Sequence, residues 1–401
     1  MRAASSALRE PDDDKAIASA VMSEDWEYAD SDTQHLTHNI HRYSGKFIPQ
    51  IARRAIDLLS KPGELVLDPY CGSGTVLVEA ALMDRQGIGI DLNPLAVLIA
   101  GTKITPISDT ALAYLKDRME ARINALGTER DLPLFSASSG NDLERLDADA
   151  DPRLTDDWYR KWFRKEILKD LVHIETALQK IEDFNLRKVG LVAFSDILRK
   201  SSNAHSGYPN VMFDKNAGRR QQPGRPFLKS LARVCDMVAS LSRVHTNNWH
   251  RVCAKLGDAT ALDLQSNSVD AVISHPPYVG SIPYAEYGAL SLKWLGHDSK
   301  DLDRRLTGGR RQSPDVVERF ENNYGRMILE AYRVLRPGRH AFLMVGNPVV
   351  RREVIDLAEM TIRLADIAGF RLLARTERKG VNRRANKMGA EHLLFFQKSA
   401  A

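Results

Sequence analysis

ELVLDPYCGSGTVLVEAALMDRQGIGIDLNP, residues Glu64–Pro94, contains the alternation from which the architecture is inferred. ELVLD (Glu64–Asp68) is a short apolar run of strand length, and the turn Pro69–Gly74 ends it. TVLVEAALMDR (Thr75–Arg85) has helical apolar spacing, and GIGID (Gly87–Asp91) is a second short apolar strand. Asn93-Pro94 then opens another helix. Strand, turn, helix, strand, helix is a βαβα pattern, which predicts a parallel sheet covered by helices. Glycines at 72 and 74 predict a tight turn at a strand end, where main chain can approach a ligand that a side chain would exclude. The spacing is not GxGxxG and no GK[ST] follows, so a dinucleotide or triphosphate fits poorly. Asp91 stands 17 residues after Gly74, at the end of the second strand, where a carboxylate can accept both hydroxyls of a ribose. Its alternative role is an N-cap for the helix that follows.

Upstream, IARRAIDLL (Ile51–Leu59) is amphipathic and Lys61-Pro62-Gly63 breaks it. Residues 1–35 are polar and acidic, with no apolar stretch of the signal-peptide kind, and read as a flexible tail. Downstream, the strand–helix alternation stops near Thr105. Residues 106–250 read as helical, with runs at Ala111–Leu126, Trp158–Glu182 and Pro226–Leu241, interrupted by a polar loop, Ser201–Pro226. Strands resume with VDAVIS (Val269–Ser274) and AFLMVG (Ala341–Gly346). RLLAR (Arg371–Arg375) and EHLLFFQK (Glu391–Lys398) read as a terminal hairpin around the basic loop Arg378–Lys387. The expected boundaries are 36–105 and 251–401 for an α/β domain, with 106–250 inserted into it.

The 401 residues are 43% hydrophobic and 27% charged, which excludes global disorder. No run of about 18 uncharged apolar residues occurs, so no membrane-spanning helix is expected. Cys71, Cys235 and Cys253 lie far apart, without zinc-site spacing, which fits a reducing cytoplasm. His35, His38 and His41 match no common ligand spacing either, so no metal is expected. The net charge of +5 conceals an asymmetry. Residues 1–36 hold nine acidic and three basic residues, whereas Arg199–Arg251 holds ten basic and two acidic ones. That basic block, with Arg199, Arg219, Arg220 and Arg225 in or beside the polar loop, fits either a polyanionic partner or a solvated helical surface.

SHPPY (Ser274–Tyr278) ends the strand at 269–274. Two consecutive prolines stiffen the backbone and remove two N–H donors, which leaves carbonyls as acceptors. A tyrosine beside them offers a flat face. Rigid acceptors with an aromatic plate suit a planar ring bearing an amino group, such as a nucleobase turned out of its stack. A proline-rich turn packed on a core tyrosine is the plainer alternative. Trp158, Trp162 and Phe163 read as core, and Glu286 and Tyr287 either shape the pocket or cap the following helix.

Taken in order, these motifs resemble the S-adenosylmethionine-dependent DNA methyltransferases that modify exocyclic amino groups. HRYSGKF (His41–Phe47) is similar to their H-x-Y-x-x-K-F segment, and DPYCGSGT (Asp68–Thr75) to their glycine motif, with Tyr70 for the usual Phe. GIDLNPLA (Gly89–Ala96) resembles the ribose-binding segment, LGDA (Leu256–Ala259) the acidic motif that contacts adenine, and SHPPY the catalytic (D/N/S)PPY. The resemblance covers about residues 38–105 and 250–398. It implies a Rossmann-like class I methyltransferase fold, an α/β seven-stranded, mostly parallel sheet with a helical insertion that recognises the target. It also implies an S-adenosylmethionine site at Lys46, Phe47, Asp68, Tyr70, Gly72, Gly74, Thr75, Asp91, Asn93, Asp258 and Ala259. Ser274, His275, Pro276, Pro277 and Tyr278 become the catalytic set. Double-stranded DNA is the implied partner, with a cognate restriction endonuclease as a second candidate.

His275 departs from the pattern, which has Asp, Asn or Ser there. A neutral imidazole can accept the amine's hydrogen bond; Ser274 is the other candidate acceptor. The cytosine 4-amino group is preferred narrowly over the adenine 6-amino group. RNA methylation and a catalytically silent nucleic-acid-binding scaffold are the remaining readings. Methylation at carbon 5 would need a Pro-Cys pair, and the three cysteines follow Tyr70, Val234 and Val252.

Overall fold

The computed structural model describes residues 11–130, 150–207, 210–244, 246, 248–280, 283–309, 312–379 and 390–400. Most of the basic loop expected at Arg378–Lys387 lies outside them, as do residues 1–10.

The strands are β1 (Leu65–Asp68), β2 (Gln86–Asp91), β3 (Val252–Leu256), β4 (Val269–Ser274), β5 (Leu335–Gly346), the two-residue β6 (Val349–Val350) and β7 (Glu353–Val354), β8 (Phe370–Arg378) and β9 (Glu391–Lys398). Seven of them form one sheet in the order β3-β2-β1-β4-β5-β9-β8. All neighbouring pairs from β3 to β5 are parallel, while β9 runs antiparallel to both β5 and β8. The expected terminal hairpin is therefore present, with its second strand inserted between β8 and β5. β3 was not expected. It is an edge strand of which only Val252 is buried, so it lacks the apolar run that marks the central strands. β4, by contrast, is buried at all six positions.

The chain reverses its order across the sheet between β1 and β4, and in open parallel sheets a crevice forms there at the carboxyl ends. That topology puts the glycine turn, Asp91, the LGDA segment and SHPPY on one edge of the sheet. Helices α1 (Pro11–Ser23), α2 (Pro49–Leu59) and α3 (Thr75–Leu82) contribute to the core under one face, with Val66, Ala271 and Ile273. The helices Val316–Val334 and Leu357–Ala368 cover the other face, with Leu67 and Val272. Neighbouring residues of β1 and β4 serve opposite cores because side chains alternate across a strand.

After α4 (Pro94–Lys103) and α5 (Asp109–Arg130), the described residues up to β3 are mostly helical, in Asp157–Trp162, Lys165–Gln179, Phe184–Ser201 and Gly224–Leu241, with the polar loop between the last two holding an isolated antiparallel bridge, Ala204 to Phe213. This block shares one hydrophobic core with Leu95 and Ile99 of α4 and with Leu290, Leu292 and Trp294 beyond SHPPY. It is packed onto the α/β unit as a continuation of its core. Phe163 is buried in that core, with Trp158 and Trp162 packed against it.

The tail expectation is corrected for residues 11–35. Asp14 is buried, where its Oδ1 lies 2.9 Å from His340 Nε2 and accepts from Gln397 at 2.9 Å, while Oδ2 takes Arg371 at 2.6 Å. Trp26 is 3% exposed, stacked on Phe342 and tilted on Phe395. Its indole N–H donates to the Val21 carbonyl at 3.0 Å. An acidic segment docks here because its one buried carboxylate meets basic and amide groups on β5, β8 and β9.

Candidate active site

The glycine turn is built by main-chain bonds. Cys71 N–H donates to Ile90 O at 3.0 Å, tying the turn to β2, and Gly74 N–H closes onto Cys71 O at 2.7 Å. Gly74 has φ +80°, and a Cβ there would stand 2.8 Å from Ala100 Cβ, so only glycine lets α3 start this close to α4. Thr75 opens α3 and is buried. Asp91 spans the crevice entrance: Gly72 N–H donates to its Oδ2 at 2.9 Å and Asn93 N–H to its Oδ1 at 2.8 Å. Burial pushes its carboxyl up to about 6. The N-cap of α4 is Asn93, whose Oδ1 accepts from Leu95 N–H at 3.0 Å, so the capping alternative for Asp91 is excluded. Asp258 turns its Oδ1 back onto Thr260, and Gly257 N–H joins the Asp91 carbonyl at 3.0 Å.

A narrow cleft occupies this corner. Tyr70, Gly72, Asp91, Asn93, Ala259, His275 and Pro277, all singled out in the sequence, line it. Tyr43, Gly45, Tyr284, Leu306, Thr307 and Gly308 line it as well, and sequence reasoning singled out none of them for it. Tyr43 and Tyr284 stack at 6.1 Å, and Tyr70 and Thr307 are joined hydroxyl to hydroxyl at 2.9 Å. Tyr43 was visible as the tyrosine of HRYSGKF. Thr307 carried no local signal, since it stands 237 residues from its partner.

Several expected site residues turn elsewhere. Lys46 Nζ donates to the carbonyls of His38 and His41 at 3.0 and 2.8 Å, and Phe47 stacks on Phe342 behind the His275 ring. Both therefore shape the His41–Phe47 segment from behind. Ser274 is fully buried outside the cleft lining, and its hydroxyl donates to Asp68 Oδ1 at 2.7 Å, so it is turned away from where a target amine would enter. Burial pushes the Asp68 carboxyl up to about 7. Tyr278 is 4% exposed, its ring packed beneath Gly346, so it is not an open stacking plate. Its hydroxyl lies 2.6 Å from His275 Nε2.

His275 lines the cleft at the end of β4. Burial, with Arg378 nearby, pushes its imidazole down to about 4, so it is neutral at neutral pH. Its Nδ1 has no partner among the described residues. Among the other candidates, Glu286 accepts from Asn210 of the polar loop at 3.1 Å, which fastens that loop beside Tyr284. Arg199 donates to the carbonyls of His205 and Asn210, and Arg220 to that of Ala204, so both brace the loop from within. Arg219 and Arg225 are exposed. Arg225 shares an open cleft with Lys200 and Lys229, between the helices Phe184–Ser201 and Gly224–Leu241. His41 Nε2 lies 3.0 Å from Ser195 Oγ, whereas His35 and His38 meet Glu79. Among the described residues no helix is long and apolar enough to cross a membrane.

Known proteins are similar to this chain. The N6/N4 family model described as DNA methylase matches residues 8–101. Type II methyltransferase M.MjaII of Methanocaldococcus jannaschii is 40% identical over 389 residues, covering 79% of this chain and 72% of that protein. Type II methyltransferase M.MvaI of Kocuria varians is 24% identical over 384 residues, covering 81% and 80%. Among solved structures, a SAM-dependent methyltransferase from Methanosarcina mazei aligns over 86% of this chain and 97% of its own, at 12% identity and a TM-score of 0.35. With the motifs in order along the carboxyl edge of a seven-stranded sheet, and with a relative of this identity and coverage, the chain belongs to the S-adenosylmethionine-dependent DNA amino-methyltransferases of the N4/N6 type.

Proposed function

We propose that this chain methylates an exocyclic amino group of a base in double-stranded DNA, the cytosine 4-amino group ahead of the adenine 6-amino group. The observation that carries the reading is the neutral His275 imidazole in the wall of the cleft that Asp91 and the glycine turn enter. S-adenosylmethionine supplies a sulfonium methyl when bound. The site suits it: Gly72 and Gly74 form a turn whose geometry admits no side chain at 74, and Asp91 offers carboxylate oxygens at the end of β2. Tyr43, Tyr70 and Ala259 supply apolar wall.

An arylamine is a poor nucleophile because its lone pair is delocalised into the ring. His275 Nδ1 and the Pro276 carbonyl are the acceptors toward which the amine's two protons would be held, favouring the rehybridised nitrogen. For Nδ1 to accept, the imidazole proton sits on Nε2 and is donated to the Tyr278 oxygen, the 2.6 Å contact described above. After transfer the nitrogen carries an extra proton, which the neutral imidazole can take. No covalent adduct to the protein is required. Arg219, Arg225, Lys200 and Lys229 would grip phosphates of the duplex. A cognate restriction endonuclease reading the same site is the proposed protein partner.

The test is incubation of the protein with duplex DNA and methyl-labelled donor, followed by mass spectrometry of the nucleosides. N4-methylcytosine is expected, and N6-methyladenine would move the target base. 5-Methylcytosine would sink the amine mechanism. His275→Ala should lower turnover at least about a hundredfold, the scale of a missing acid–base or positioning group, with donor affinity nearly unchanged.

A further inference from the structure

His35, His38 and Glu79 converge away from the cleft. One ligand atom from each, two imidazole nitrogens and a carboxylate oxygen, lies within 4.8 Å of the others. His35 Nε2 is 3.1 Å and His38 Nε2 2.8 Å from the same Glu79 Oε1. We propose that these three side chains bind a divalent transition-metal ion, zinc in the first instance, which pins residues 35–38 to α3.

Proton positions limit what can sit between these atoms. His35 Nδ1 lies 3.1 Å from the Asp32 carbonyl, an acceptor only, so this nitrogen carries a proton. In a neutral His35 the lone pair is then on Nε2, facing a carboxylate oxygen that already meets His38. Two electron-rich atoms at 3.1 Å need a cation between them, either a second proton on His35 or a metal. An imidazole whose far N–H is donated to a main-chain carbonyl is the usual arrangement of a metal-ligating histidine. Glu79 is fully buried on α3, so its carboxylate needs a cationic or hydrogen-bonding partner there.

The geometry accommodates an ion. Tetrahedral zinc with bonds of about 2.0–2.1 Å sets its ligand atoms roughly 3.3 Å apart; the two histidine–carboxylate separations are a few tenths of an ångström shorter, and the two imidazole nitrogens lie within 4.8 Å of each other. The His35 side chain is 31% exposed, which leaves water a route to the fourth position. Arg53 reaches Glu79 Oε2 at 3.4 Å but is 54% exposed and can turn to solvent. The ion would be structural. The segment it fastens leads into His41–Phe47, whose Tyr43 and Gly45 line the cleft.

The experiment uses untagged full-length protein, stripped with chelator and titrated with Co²⁺ and then Zn²⁺. One equivalent of Co²⁺ should give the visible absorption of a tetrahedral site, Zn²⁺ should displace it, and Zn²⁺ should raise Tm. Glu79→Gln and His38→Ala should each weaken Co²⁺ affinity at least tenfold. Because either variant could lose its fold, the parent protein labelled with ¹⁵N-histidine is compared by NMR with Zn²⁺ and with chelator. Two imidazoles should move to metal-bound nitrogen shifts. Absence of saturable one-to-one binding, or identical histidine spectra in the two states, overturns the site and assigns the cation to a proton on His35. None of these readouts depends on methyl transfer, so the outcome stands apart from the proposed function.

Discussion

Asp91 does two jobs with one carboxylate: it receives the Gly72 and Asn93 amides, and it faces the cleft. Burial lifts it to about 6, so its charged form is more costly in the folded protein than in the unfolded chain. That cost is absent below the unfolded value near 4 and complete above 6. The charged form, on which the proposed ribose contact depends, therefore prevails only above about pH 6. Donor affinity should be level from pH 8 to 7 and weaken below 6, by at most about tenfold per unit. Asp91→Asn should weaken binding at pH 8 by about 1.5–3 kcal/mol and flatten the pH dependence. Calorimetry between pH 5 and 8 measures both, and affinity constant across that range would remove Asp91 from the ribose contact.

Among the secondary-structure elements, the least expected result is the docking of α1 and the turn after it. The acids there read as solvated charge, because Asp14 meets His340 across 326 residues and spacing cannot register such a partner. Trp26 does show locally as an isolated large aromatic, and it closes the core over Phe342 and Phe395. Trp26→Ala should cost about 3–5 kcal/mol of folding stability, measured by urea denaturation. A change below about 1 kcal/mol would mean that this segment is not docked in solution.

Across the molecule as a whole, the basic block separates into inward and outward charges. Arg199 and Arg220 are engaged with main-chain carbonyls, whereas Lys200, Arg219, Arg225 and Lys229 face solvent. Composition counts them alike, and only packing divides them. Replacing Arg219, Arg225 and Lys229 with alanine should weaken duplex binding and lower the slope of log affinity against log salt by about 0.9 for each phosphate no longer neutralised. Arg199→Ala and Arg220→Ala should instead lower Tm, with the salt slope intact. Fluorescence anisotropy over a salt series and thermal melts decide between the two classes; an unchanged slope in the triple variant would place the DNA on another surface.

The features legible along the chain are local: a strand, a glycine turn, a helix and a carboxylate 17 residues on, and a proline pair closing a later strand. Each is a run of neighbours whose backbone preferences and apolar spacing are readable in place, and together they prescribe a parallel sheet with a ligand at its carboxyl edge. Which side chains line that edge was settled by folding alone. Packing buried Ser274 against Asp68, turned Tyr278 onto His275, and brought Thr307 to Tyr70 and Glu79 to His35 and His38. All of these pairings depend on desolvation and, apart from Tyr278 with His275, on partners distant in the chain. Neither quantity is a property of a residue's neighbours in sequence.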